Sequence, residues 1–171
     1  IRRKHPGISP KWPRGCRRQW RASLSNKSGH GGGISPSVPG SRFKEALLAQ
    51  ALVVDDSRAV RKLLSQNLQF LGYDVTEAEN GIAALDALQA RPDPVHLILT
   101  DWNMPEMNGL DFLKAVRRRP EYDGIPVVMV TTETEMEHMA AALEAGANEY
   151  VMKPFTREIL TDKLRLAGVQ I

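Results

Sequence analysis

Hydrophobic positions in this chain come in two alternating rhythms. Short apolar runs at 51–54, 95–100, 127–130 and 149–152 are rich in branched side chains and bounded by Pro, Gly or Asp, so each reads as a buried strand. Residues 73–78 alternate weakly and supply a fifth strand. Between these runs the apolar residues recur at helical spacing. Val60, Leu63, Leu64, Leu68 and Leu71 mark one helix, with Ser57 as its predicted N-cap and Gly72 as its stop. Ile82, Leu85 and Leu88 mark a second after Asn80-Gly81. Leu110, Leu113 and Val116 mark a third after the turn at Asn108-Gly109. Met136, Met139, Ala140 and Leu143 form a methionine-bearing stripe of the kind that usually faces a core. Ile159, Leu160, Leu164 and Ala167 mark the last helix, ended by Gly168.

Five strands alternating with five helices imply a parallel sheet with right-handed crossovers and helices on both faces. The predicted class is therefore α/β, a doubly wound five-stranded parallel sheet of flavodoxin-like order 2-1-3-4-5. Ligands of such sheets bind beyond the carboxyl ends of the strands, near the switch between the first and third. Those ends carry chemistry. The first strand runs into Asp55-Asp56, the third into Asp101, the fourth into Thr131-Thr132 and the fifth into Lys153-Pro154.

Charge changes the picture at the N-terminus. Of the 23 Lys and Arg residues, 11 lie in residues 1–44, which contain no Asp or Glu; the remainder carries all 20 acidic residues and is net −8. The basic segment is rich in Gly, Pro and Ser and has neither rhythm. It is read as a disordered tail, residues 1–44, ahead of a folded domain at 45–171. Because the chain starts at Ile1, the tail is either a native extension or sequence upstream of the true start. Arg17, Arg18 and Arg21 around Trp20 leave open a rival reading, a regulator that touches DNA through this tail. The Arg117-Arg118-Arg119 run is read as a solvated, helix-capping end. His96 and His138 are read as surface residues. The lone Cys16 excludes a disulfide framework or a cysteine-based metal site within the chain. No apolar run approaches the roughly 20 residues of a membrane span, and no secretory signal is evident, so a cytoplasmic location is expected.

Three carboxylates at one sheet edge need a positive partner. Two like charges 4 Å apart repel by about 4 kcal/mol at an effective dielectric of 20. A hard divalent cation such as Mg²⁺ removes that conflict and itself prefers oxygen donors and phosphates. Lys153 and Thr131 suit the oxygens of a phosphoryl group, and Asp101 suits a nucleophile forming an acyl phosphate. No P-loop or Gly-rich nucleotide fingerprint follows the first strand, so a nucleotide donor held by this chain is not expected.

Asp55-Asp56, Asp101, Thr131 and Lys153-Pro154-Phe155 together resemble the receiver domain of two-component response regulators, over about residues 50–168. Val53-Val54-Asp55-Asp56-Ser57, Asp101-Trp102-Asn103-Met104-Pro105 and Tyr150-Val151-Met152-Lys153-Pro154-Phe155-Thr156 resemble its stand-alone chemotaxis members. The resemblance implies a regulator rather than an enzyme, phosphorylated on Asp101 by a sensor histidine kinase and resetting itself with Mg²⁺. It implies Mg²⁺ ligands at Asp56, Asp101 and the Asn103 carbonyl, with Asp55 assisting through water, and a switch pair in Thr131 and Tyr150. The Lys153–Pro154 bond is expected to be cis. Output would pass to a protein such as a flagellar motor switch component, with no output domain or membrane in this chain. Thr132 is bulkier than the family's usual residue and is expected to narrow access to the phosphoryl group. Asn103 and Glu133 resemble the pair in fast-resetting members. Asn108 replaces the common Asp before Gly109. An aspartate-nucleophile phosphatase of similar topology would place a second Asp where Asn103 stands.

Overall fold

A computed structural model describes residues 49–134 and 136–171. The basic tail and its possible nucleic-acid contacts lie outside the described residues. Strands β1 (Ala49–Val54), β2 (Tyr73–Ala78), β3 (Val95–Thr100), β4 (Val127–Thr131) and β5 (Glu149–Met152) alternate with helices α1 (Arg58–Phe70), α2 (Gly81–Ala90), α3 (Gly109–Arg117), α4 (Met136–Glu144) and α5 (Arg157–Leu166). The sheet is parallel throughout, in the order β2-β1-β3-β4-β5 that the alternation predicts. β1 begins two residues earlier than its apolar run, because Ala49 and Gln50 extend its register with Tyr73 and Asp74 of β2.

The near-continuous apolar strands follow from burial on both faces. Along β1, Leu52 and Val54 join a core with Ile98, Phe112, Leu113 and Met129. Ala51 and Val53 point the other way, toward Leu64, Leu68, Leu97, Val128, Leu160 and Leu164. Each central strand thus contributes to two cores, and the three inner strands are fixed in register by both.

Several local expectations give way to packing. Ser57 occupies the N-cap position of α1 but makes no side-chain cap; its N–H instead donates to Asp55 Oδ1 at 2.8 Å. In α2 the inward residues are Gly81, Ala84 and Leu88, and Ile82 is exposed. The methionine stripe of α4 is only partly core: Met139 is half-buried against it, but Met136 is 80% exposed and Leu143 50%, and Ala142 is the helix's fully buried residue. A short 3-10 turn, Pro120–Tyr122, separates α3 from β4.

The largest departure is Arg117, read as part of a solvated charge run. Its guanidinium turns inward and donates to the carbonyls of Gly146, Tyr122 and Ile125 and to Asn148 Oδ1, at 2.9–3.1 Å. Asn148 passes the linkage on by accepting from the Val127 N–H at 2.9 Å. One side chain therefore ties the end of α3 to the loops leading into β4 and β5. Burial lowers its pKa from the ordinary value, but four acceptors keep the cation satisfied. Gly146 adopts φ +100°, and a Cβ there would lie 3.1–3.3 Å from the Arg117 side chain.

Arg117→Met should destabilise the domain by about 2–3 kcal/mol, because it strands buried carbonyls. Arg117→Lys should recover little, since an ammonium cannot span four acceptors in a planar fork. Urea unfolding measures both.

Candidate functional site at the carboxyl edge of the sheet

The site is assembled by chain ends that the sheet holds together. The Asp101 N–H donates to Val54 O at 2.8 Å, so the residue after β3 is pinned to the end of β1. The Asp55 N–H donates to Ala78 O at 3.2 Å, pinning the acidic pair to β2. The Lys153 N–H donates to Thr131 O at 2.8 Å, which places the residue after β5 beside the end of β4. The Lys153–Pro154 peptide bond is cis.

Carboxylate oxygens of Asp55, Asp56 and Asp101 all lie within 4.8 Å of one another. Asp55 and Asp101 are buried and Asp56 is exposed. The Lys153 ammonium donates to Asp55 Oδ2 at 2.6 Å and lies 3.3 Å from Asp101 Oδ2. The remaining oxygens of the two buried acids accept backbone N–H groups: Asp55 Oδ1 from Ser57 and Asp101 Oδ1 from Trp102, each at 2.8 Å. Burial pushes the Asp55 carboxyl above its ordinary value and nearby Asp101 adds to the rise, while Lys153 and the Ser57 N–H pull it back. An all-oxygen donor set, negative overall and only partly neutralised by one ammonium, suits a hard divalent cation.

Arg61 of α1 braces this loop from behind. It donates to Asp55 O at 2.7 Å and Asp56 O at 3.1 Å, and its Nε lies 3.5 Å from Glu77 Oε2. Sequence reasoning passed over Arg61 because a helical arginine four residues past a cap carries no signal of where its long side chain will turn.

Gly109 was read only as a turn residue. A Cβ at this position would sit 1.9 Å from the Asp101 carbonyl oxygen, so α3 approaches the site backbone as closely as only glycine permits. Asn108 caps α3, its Oδ1 accepting from the Asp111 N–H at 2.8 Å and its amide donating to Asp111 Oδ2 at 3.0 Å. It thus does the turn work that a preceding Asp would do.

The outer rim is a hydrogen-bonded group centred on Glu133. Its N–H donates to Thr131 Oγ1 at 3.2 Å, and its carbonyl accepts from the Tyr150 hydroxyl at 2.7 Å. One carboxylate oxygen accepts from the Asn103 amide at 2.6 Å; the other meets His138 Nδ1 at 3.1 Å. Hydrogen bonds from Asn103 and His138 hold the Glu133 carboxyl below the usual range. Tyr150 is buried inward, 4% exposed, which raises its hydroxyl pKa. Thr131 is fully buried, whereas Thr132 is exposed. His138 is not the plain surface residue expected: its ring stacks on Trp102, with centroids 4.7 Å apart. His96 is exposed, and its Nδ1 accepts the Gln50 N–H at 3.1 Å.

Two substitutions test this construction without a phosphoryl donor. Asp55 holds its proton more tightly folded than unfolded, so its ionised form opposes folding above the raised pKa, and that penalty fades as pH falls through it toward the ordinary carboxylate range. Asp55→Asn should therefore stabilise the cation-free protein by on the order of 1 kcal/mol at neutral pH. The urea-midpoint gap to wild type should narrow on acidification. Gly109→Ala should destabilise by about 1–3 kcal/mol through the displaced Asp101 carbonyl, and weaken divalent-cation binding read by Trp102 fluorescence.

Comparison with known proteins agrees with this geometry. The response regulator receiver domain matches residues 51–165. Chemotaxis protein CheY1 of Helicobacter pylori is 47% identical over 116 residues, 67% of this chain and 93% of that protein. The chemotaxis protein CheY homolog of Campylobacter jejuni is 48% identical over 114 residues, 66% of this chain and 87% of that protein. The solved chemotaxis response regulator CheY4 of Vibrio cholerae superposes with a TM-score of 0.65 at 38% identity, covering 70% of this chain and 98% of that one. Sheet order, acidic edge and sequence together establish that the chain belongs to the response regulator receiver domain family.

Proposed function

We propose that this chain is a phosphoryl-operated switch of a two-component system and that Asp101 is its phosphoacceptor. One observation carries the reading: the Lys153 ammonium lies between the buried carboxylates of Asp55 and Asp101, with Asp56 alongside, at the carboxyl edge of the sheet. An oxygen of Asp101 attacks the phosphorus of a phosphohistidine on a sensor kinase. The P–N bond breaks, its electron pair stays on the imidazole nitrogen, and that nitrogen takes a proton from solvent. The product is an acyl phosphate on Asp101.

Asp56, Asp101 and the backbone carbonyl of Asn103 are the proposed holders of Mg²⁺, with Asp55 assisting through water. When bound, the ion supplies neutralising charge to the phosphoryl oxygens. Lys153 transfers its ammonium from the carboxylates to the phosphoryl group. Thr131 offers its hydroxyl, which now accepts from Glu133. Because Tyr150 bonds the same residue's carbonyl, a shift of the loop after β4 reaches the buried ring and the surface of α4, β5 and α5. Self-dephosphorylation proceeds over seconds to minutes, at a rate that the Asn103 and Glu133 pair sets.

The family supports a regulatory rather than a metabolic role, and the names of its relatives support chemotaxis; a flagellar motor switch protein is the proposed target. Among the described residues no helix is long and apolar enough to cross a membrane. A cytoplasmic site of action fits a kinase and a motor target on that side.

Labelling with acetyl phosphate or a phosphohistidine donor tests the proposal. Label should appear only with Mg²⁺, vanish in Asp101→Asn and fall at least about tenfold in Lys153→Ala, whose lost ammonium contributes more than about 1.4 kcal/mol to charge neutralisation. A wild type that takes no label from either donor overturns the reading; label that persists for hours overturns the fast reset.

A further inference from the structure

The rim beside the acids holds a feature that phosphorylation chemistry does not require. Glu133 is engaged at four points: its N–H by Thr131, its carbonyl by Tyr150, and its two carboxylate oxygens by Asn103 and His138. The Asn103–Glu133 bond joins the loop after β3, which carries Asp101, to the loop after β4. His138, on the first turns of α4, fastens the same carboxylate from the far side and stacks on Trp102, the residue between Asp101 and Asn103. The imidazole thus contacts both loops at once.

We propose that His138 is a positioning residue that fastens the Glu133–Asn103 bridge between these loops and thereby slows the entry of water and of small phosphoryl donors to Asp101. The inference rests on Asp101 as phosphoacceptor. Hydrolysis requires a water oxygen to attack phosphorus from the side opposite Asp101. The P–O bond to the carboxylate breaks, Asp101 recovers its electron pair, and the water proton leaves with inorganic phosphate. That line of approach comes from solvent, past the rim. A carboxylate held at both oxygens has no rotamer freedom to clear the path; one held only by Asn103 does. The stacked rings add a second restraint on the loop that carries Asn103.

The consequence is specific to side-chain chemistry at position 138. His138→Ala should speed both loading from acetyl phosphate and loss of label by about three- to tenfold. His138→Gln, which can still donate to Glu133 but cannot stack on Trp102, should lie between His138→Ala and wild type. In a Glu133→Ala background, where the carboxylate is gone but the Trp102 stack remains, His138→Ala should change both rates less than it does in the wild type. Side-chain amide exchange of Asn103, followed by NMR in the unphosphorylated protein, reads the bridge without any donor and should accelerate in His138→Ala.

Outcomes separate the two layers of argument. A labelled wild type with unchanged rates and unchanged Asn103 exchange in His138→Ala overturns the role of His138 and leaves Asp101 as phosphoacceptor. An equal effect of His138→Ala with and without Glu133 overturns the fastening route. A wild type that takes no label overturns both readings.

Discussion

Everything at the carboxyl edge depends on one ammonium shared by two buried carboxylates. Lys153 reaches Asp55 at 2.6 Å and Asp101 at 3.3 Å from a strand end at the far side of the sheet. Without a cation there, two ionised acids would face each other with little water to screen them. With it, the arrangement holds but remains underneutralised, because Asp56 adds a third negative charge. The site is stable enough to form and charged enough to want more positive charge. Receptivity and stability are thereby set by the same pair of distances.

The sheet supplies the precision that this balance needs. Its two cores fix β1, β3 and β4 in register from opposite faces, and backbone bonds from Asp55, Asp101 and Lys153 tie the functional residues to neighbouring strand ends. Arg61 and Gly109 complete the support, one by holding the carbonyls of the acidic pair, the other by letting α3 approach the Asp101 backbone. Neither group touches a ligand in this reading, yet each fixes where the carboxylates point.

Much of this was legible from residue order alone. Strand ends are readable because a buried strand is an apolar run and the next polar residue is its edge; Asp55, Asp101, Thr131 and Lys153 were located in that way. Arg117 was not, because a triplet of arginines looks the same whether one of them turns inward to satisfy carbonyls or all three stay in water. The methionine stripe of α4 held for Met139 and failed for Met136 and Leu143, because helical spacing says which residues share a face, not how much of that face is covered. His138 carried no signal, since its role comes from a ring across the loop and a carboxylate five residues back. Gly109 was visible as a turn, but the Asp101 carbonyl that excludes a side chain there belongs to a contact within the folded backbone.

The sparse burial of α4 has an energetic consequence of its own. With Ala142 buried, Met139 half-buried against the core and Met136 and Leu143 in water, the helix gains less from its packing than the sheet strands do. Its local opening free energy is correspondingly small beside that of the sheet. A binding partner that prefers a displaced α4 by only a few kcal/mol could therefore repopulate the ensemble, because the native arrangement of that helix starts with a narrow margin over its alternatives.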